Sequence, residues 1–237
     1  MEHPTVIGVL NVAKDILQQN KNLDVETLYR ISKRTLKIPR KGLLKIIDFL
    51  LNKKVLIEGS RFTKKSVLSN PNRKLIYDFI NQNIGAHFSF IRKEIFADDE
   101  SAAVGNGQLI WHLEMLLKFG HIKKIKIKNN TIFIPINVSE ENAKLHYFLR
   151  DEINREIVWL ILENKSMEVV NIHKHLKRNR QKVYYRINNL IDGKILALMN
   201  SDDKIISINP LYKEPIEKIL TISYQKSIKE EYQERWH

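Results

Sequence analysis

The chain has 237 residues, 43% of them hydrophobic, and 40 Lys/Arg against 27 Asp/Glu give it a net charge of +13. That length implies two or three small domains with packed cores, and the charge favours a polyanionic partner, either nucleic acid or an anionic membrane surface. The absence of cysteine excludes disulfides, thiolate catalysis and Cys-based zinc sites. No apolar run approaches the ~20 residues that span a bilayer, and the N-terminus has no leader-like pattern, so a soluble cytoplasmic protein is expected.

In chain order, the apolar periodicity predicts a long helix over 6–20 (VIGVLNVAKDILQQN), a shorter one over 25–36, and a third over 41–51 (KGLLKIIDFLL). In the third, Leu43, Ile47, Leu50 and Leu51 fall at i, i+4, i+7 and i+8, which lines one helix face with apolar groups. Two β-prone runs around a turn follow at 54–63. The same succession then recurs: helices over 72–83, 88–96 and 108–117, and a hairpin over 121–135. Leu109, Leu113, Leu116 and Leu117 repeat the spacing. It recurs again over 153–164, 167–176 and 182–191, with Val183, Ile187, Leu190 and Ile191 in the same places and a hairpin over 194–208. The period is about seventy residues. Turn formers at Ser69-Asn70-Pro71 and Asn137-Val138-Ser139 divide the repeats. The predicted units are therefore 1–69, 70–138 and 139–209, with a helical tail over 210–237. Residues 139–164 are expected to form one continuous helix leading into the third unit.

Three helices and a hairpin form the winged helix-turn-helix pattern. The middle repeat resembles the domain of archaeal and bacterial winged-helix transcription regulators in three places: Asn70-Pro71-x-Arg73, Gly85-Ala86-His87-Phe88, and His112-Leu113 with Leu116, Gly120 and Ile122. The third repeat shares the pattern of the last helix but ends in Asp192-Gly193-Lys194, one residue shorter. The first shares apolar spacing and wing, with Lys54 where glycine is usual. The resemblance implies a mainly α fold with small β-hairpin wings, a tandem array of three such units plus a C-terminal helix. It implies a cytoplasmic, archaeal regulator of transcription whose partner is double-stranded DNA, with no cofactor and no catalysis. The third helix of a unit would enter the major groove while the wing touches the backbone.

On that reading the third unit offers Arg178, Asn179, Arg180, Gln181, Lys182, Tyr185, Arg186 and Asn189. Arg can fork onto guanine and Asn or Gln onto adenine, while Lys and Tyr hold phosphate. A merely solvated polar face is the bland alternative. Residues 1–69 hold fourteen Lys/Arg and six Asp/Glu. There Pro39 suits the first turn of the third helix, Arg40, Lys41 and Lys45 follow as phosphate contacts, and Lys64 and Lys65 extend the wing. The second unit presents Asn106 and Gln108, with Lys126 and Lys128, alongside Lys124, on one strand face. Those lysines serve equally as phosphate contacts or as guards against edge pairing.

The second unit also departs from a DNA-binding pattern. Asp98, Asp99 and Glu100 precede its third helix, and Trp111 lies about 200° round from Leu109, expected beneath a neighbouring repeat. Those features suit a protein partner at this unit. The rival reading for the whole array is a protein-interaction scaffold like the ESCRT-II or polymerase-associated subunits. His173 and His175 are two apart on a helix, so they cannot share a zinc ion as an i, i+4 pair. No phosphate-loop, nucleophile-elbow or HExxH motif is present. In the tail, Ile216, Leu220, Tyr224, Ile228 and Tyr232 recur every fourth residue, a stripe that could fold back onto the third unit, fray, or pair with a second copy as a homodimer, the reading favoured here.

Overall fold

The computed structural model describes residues 3–19, 21–96, 106–200 and 204–221. These form two compact units, 1–137 and 138–237. Among the described residues the protein is mainly helical, with two small antiparallel sheets.

The first unit begins with α1 (Pro4–Gln18), α2 (Val25–Thr35) and α3 (Arg40–Asn52). Asp24 caps α2 by accepting from Thr27 N at 2.7 Å, which satisfies one of the free amides of the first turn. Pro39 stands one residue before α3, in the N-cap position without a side-chain cap, rather than inside its first turn. Val9, Ala13, Leu28, Leu43, Ile47 and Leu50 close the first core. Each of these valine, leucine and isoleucine side chains contributes about 1.5–3 kcal/mol by leaving water.

The expected wing at 54–63 is not a strand pair. Lys64 N donates to Val55 O at 2.9 Å, and Gly59 N donates to Leu23 O at 2.8 Å, but no ladder develops. The chain instead coils into a one-turn helix, α4 (Lys64–Val67), so Lys64 and Lys65 lie on a helix rather than on a wing. The cause is the apolar content of the segment. Ile57, Phe62, Val67 and Leu68 pack into the core of the following repeat, and a hairpin would hold them away from it. This packing makes 1–137 a single compact unit across the break at Ser69-Asn70-Pro71.

The rest of that unit runs α5 (Pro71–Gln82), β1 (Ala86–His87), α6 (Phe88–Phe96), α7 (Asn106–Lys118), β2 (Ile122–Ile127) and β3 (Asn130–Pro135). Asn70 caps α5 through Arg73 N at 3.0 Å. The sheet has three strands rather than two, in the order β1-β3-β2, with Ala86 opposite Phe133 and Ile125 opposite Ile132. The residues 97–105, which include Asp98, Asp99 and Glu100, lie outside the described residues.

The second unit contains α8 (Glu140–Leu149), α9 (Glu152–Asn164), β4 (Ser166–Glu168), α10 (Val169–His175), α11 (Arg180–Asp192), β5 (Leu196–Asn200) and β6 (Ile205–Ile208), and its sheet order is β4-β6-β5. The single helix expected over 139–164 is broken. Asp151 takes an extended backbone and accepts from Asn154 N at 3.1 Å, starting α9 afresh. The carbonyls that end α8 are met by side chains: Asn154 Nδ2 donates to Phe148 O at 2.8 Å, and Arg155 donates to Leu149 O at 3.0 Å and Arg150 O at 2.8 Å. These bonds meet orphan backbone groups on both sides of the break and hold it in place. A short 3₁₀ turn, Pro210–Tyr212, leads to helical residues 213–221. Ile216 and Leu220 are buried within the single chain, so that part of the tail's stripe is already covered. Tyr224, Ile228 and Tyr232 lie outside the described residues.

Candidate nucleic-acid interface

Helices α3, α7 and α11 each contain thirteen residues, and each buries the fourth, eighth and eleventh of them: Leu43, Ile47 and Leu50; Leu109, Leu113 and Leu116; Val183, Ile187 and Leu190. Their C-termini close alike. Lys54 N, Gly120 N and Lys194 N donate to Leu51 O, Leu117 O and Ile191 O, while Val55 N, His121 N and Ile195 N donate to Leu50 O, Leu116 O and Leu190 O. The third helix is therefore not shorter: Gly193 continues it as C-cap, and Lys194 takes the left-handed place of Gly120. A fixed register means that each outward position has counterparts. Lys45, Trp111 and Tyr185 occupy the same crest, opposite the buried stripe.

On α11, Asn179 is the N-cap, its Oδ1 accepting from Lys182 N at 3.2 Å. Arg180, Gln181 and Lys182 fill the exposed first turn, and Tyr185 is 62% exposed one turn further on. The Arg180 guanidinium lies over the Tyr184 ring at 5.2 Å. None of these four side chains has a carboxylate partner among the described residues.

Arg178 and Arg186 stand differently. Arg178 donates to Glu156 at 2.7 Å and Glu152 at 2.9 Å. Those two carboxylates, Glu156 foremost, hold its pKa above the ordinary arginine value. Arg186 pairs with Asp151 at 2.7 Å and lies over the Tyr185 ring at 5.6 Å. Both arginines thus clasp the acidic N-terminal turns of α9, where carboxylates also suit the helix dipole. Asn189 is half-buried. Asn188, which the sequence reading passed over, is exposed. Its position three residues beyond Tyr185 was the available signal.

On α7, Asn106 and Gln108 are exposed, as are Glu114 and Lys118. Trp111 is 49% exposed rather than sheltered under a neighbouring repeat. Its ring rests on the Arg73 guanidinium at 4.9 Å, and Phe62 lies 5.1 Å from the same group. Arg73 is only 2% exposed. Its Nε donates to Val67 O at 2.7 Å, Nη1 has no partner among the described residues, and burial lowers its pKa. His112 is buried, with Nδ1 unpartnered among the described residues; burial, and then the charge of Arg73, lowers its pKa. The aromatic faces therefore take the place of a carboxylate around this cation.

Arg40, Lys41 and Lys45 are exposed along α3. In the sheet, Lys124 and Lys126 project from the open face of edge strand β2. Lys128 lies past the strand in the turn, with φ 52°, so it does not share their face by strand alternation. The candidate positions consequently separate into three basic or polar helix faces and one strand face, with Arg178 and Arg186 bound to their own unit. Among the described residues no group of three or more acidic or histidine side chains could hold a metal ion, and no helix is long and apolar enough to cross a membrane.

No protein family's sequence model matches the chain. The chain is 27% identical over 169 residues to an uncharacterized HTH-type transcriptional regulator of Methanocaldococcus jannaschii. That match covers 70% of this chain and 41% of the relative, so the chain spans less than half of the relative's length.

Proposed function

We propose that the protein is a DNA-binding transcriptional regulator built as a tandem winged helix-turn-helix array. The units at 70–138 and 139–209 carry the full set of helices and sheet, and 1–69 is a unit whose wing is replaced by α4. The observation that carries this reading is the exposed first half of α11. There Arg180, Gln181, Lys182 and Tyr185 form one patch without a carboxylate partner among the described residues. The similarity to an HTH-type transcriptional regulator supports it. Gln181 has the bidentate amide that reads adenine, Arg180 the fork that reads guanine, and Lys182 and Tyr185 can hold phosphate. The hairpin of β5 and β6 would act as the wing, and the exposed cations of α3 would add phosphate contacts. Binding proceeds without chemistry, by release of counterions from the duplex. The face of α7, with Ile110 and Trp111 each about half exposed, favours a protein partner at that helix instead.

Fluorescence anisotropy with a mixed-sequence duplex over a salt series tests the reading. The logarithm of affinity should fall against the logarithm of salt by roughly 0.9 per phosphate contact. Gln181→Ala with Lys182→Ala should lower affinity by about tenfold, with an unchanged melting temperature because both side chains are exposed. Affinity weaker than ~100 µM in low salt would sink the proposal.

A further inference from the structure

A cavity of about 460 Å³ opens beside α1, between its last turns and the segment that leads through α4. Lys14, Arg61 and Lys65 converge on it, and no acidic side chain is among its lining residues. None of the three cations makes an ion pair among the described residues. Arg61 Nε donates to Asn22 Oδ1 at 3.2 Å, which anchors the guanidinium and leaves its terminal amino groups for another acceptor.

The polar walls divide into fixed and available groups. Thr63 and Ser66 close a reciprocal capping box: Thr63 N donates to Ser66 Oγ at 2.8 Å, and Ser66 N donates to Thr63 Oγ1 at 3.2 Å. That pair holds the chain between Arg61 and Lys65 in one shape. Ser69, also in the wall, makes no side-chain hydrogen bond among the described residues. Leu17 lies one turn along α1 from Lys14, adding an apolar patch beside the charges. Three like charges around one concavity repel each other unless an anion joins them. Phosphate oxygens accept from guanidinium, ammonium and hydroxyl donors together. The volume falls in the range of ordinary small-ligand sites and exceeds what a bare ion needs.

We propose that this cavity is a phosphate-binding site, with Lys14, Arg61 and Lys65 supplying charge and Ser69 a hydroxyl donor. The phosphate belongs either to a small phosphorylated ligand with an organic part over Leu17, or to a nucleic-acid backbone. The site is separate from the α11 patch, and it stands whether or not α11 meets DNA.

Calorimetric titration of the full chain with inorganic pyrophosphate tests it. Saturable one-to-one binding is expected. Lys14→Gln with Lys65→Gln should weaken it about tenfold, and Ser69→Ala should weaken it by a smaller factor. Lys33→Gln with Arg34→Gln, both exposed on α2, removes as much charge outside the cavity and should leave it unchanged. Melting curves accompany each variant, and Ser69→Ala keeps the test intact if the double variant unfolds. Non-saturable binding, or equal weakening by cavity and outside variants, overturns the site in favour of a diffuse basic surface. Titrating the same variants with a short duplex then identifies the source. Parallel loss of duplex affinity assigns a backbone phosphate, and unchanged duplex affinity assigns a small phosphorylated ligand.

Discussion

Lys54, Gly120 and Lys194 share one left-handed backbone position, with φ of 54°, 63° and 61°. A lysine held there carries a strain that glycine avoids. At Lys194 the charge also lowers the pKa of Lys144, although burial of Lys144 is the larger cause. Lys194→Gly should therefore raise stability by about 0.5–1 kcal/mol in urea unfolding. The preceding residue behaves oppositely. A Cβ on Gly193 would stand 2.9 Å from the Phe148 ring and 3.1 Å from Asn189 O, so Gly193→Ala should cost about 1–3 kcal/mol. Histidines supply a second test at this scale. His112, His121 and His146 all have pKa values lowered first by burial, so the folded state resists protonation where the unfolded chain accepts it. Above the ordinary value near 6.5 all three are neutral in both states and stability is level. As pH falls below it, the unfolded chain binds more protons and stability declines. The melting temperature should thus drop from pH ~6.5 downward, and His112→Phe should flatten part of that slope.

Elements show where local sequence and packing part company. The apolar stripes of α3, α7 and α11 were legible because a period of 3.6 reports burial directly. Strands β1 and β4 were not legible. Two or three residues carry no period, and they become strands only because β3 and β6 lie beside them. The break between α8 and α9 was missed for another reason. Asp151 looks like one more polar position until its side chain is seen capping Asn154 N and meeting Arg186. Asp151→Ala removes that cap and should destabilise the protein by about 1–2 kcal/mol, read in urea unfolding. It would also release Arg186. If α11 is the DNA-reading helix, the same change should leave duplex affinity undiminished in the anisotropy assay, since Arg186 then loses only an intramolecular carboxylate. For this reason Gln181 and Lys182, rather than Arg186, are the informative substitutions on that helix.

At the scale of the whole molecule, the sequence repeat and the compact units do not coincide. Three repeats are visible, yet the chain divides into 1–137 and 138–237. Ile57, Phe62, Val67 and Leu68 belong by repeat to the first set of helices and by packing to the core around Ile76, Ile91 and Leu113. Arg73 extends the same junction by donating to Val67 O and stacking on Phe62. A fragment of residues 1–137 should therefore unfold cooperatively, followed by circular dichroism. A fragment of 70–137 alone should melt without a cooperative transition, because it lacks the side chains that complete its core. Two independent transitions within 1–137 would show that the shared core is weaker than its packing implies.

The sequence by itself determined the buried stripes of α3, α7 and α11, the basic charge and the register that makes Lys45, Trp111 and Tyr185 equivalent. Those properties are local or periodic, and spacing along a chain encodes them. Tertiary structure alone decided which charges face outward and which are held: Arg178 and Arg186 bind α9, whereas Arg180, Gln181, Lys182 and Tyr185 do not. It likewise decided that 54–68 abandons its hairpin and that Lys14 meets Arg61 and Lys65 around one cavity. Such facts depend on which surfaces meet after folding, and residues distant in sequence carry no pairwise label that says so.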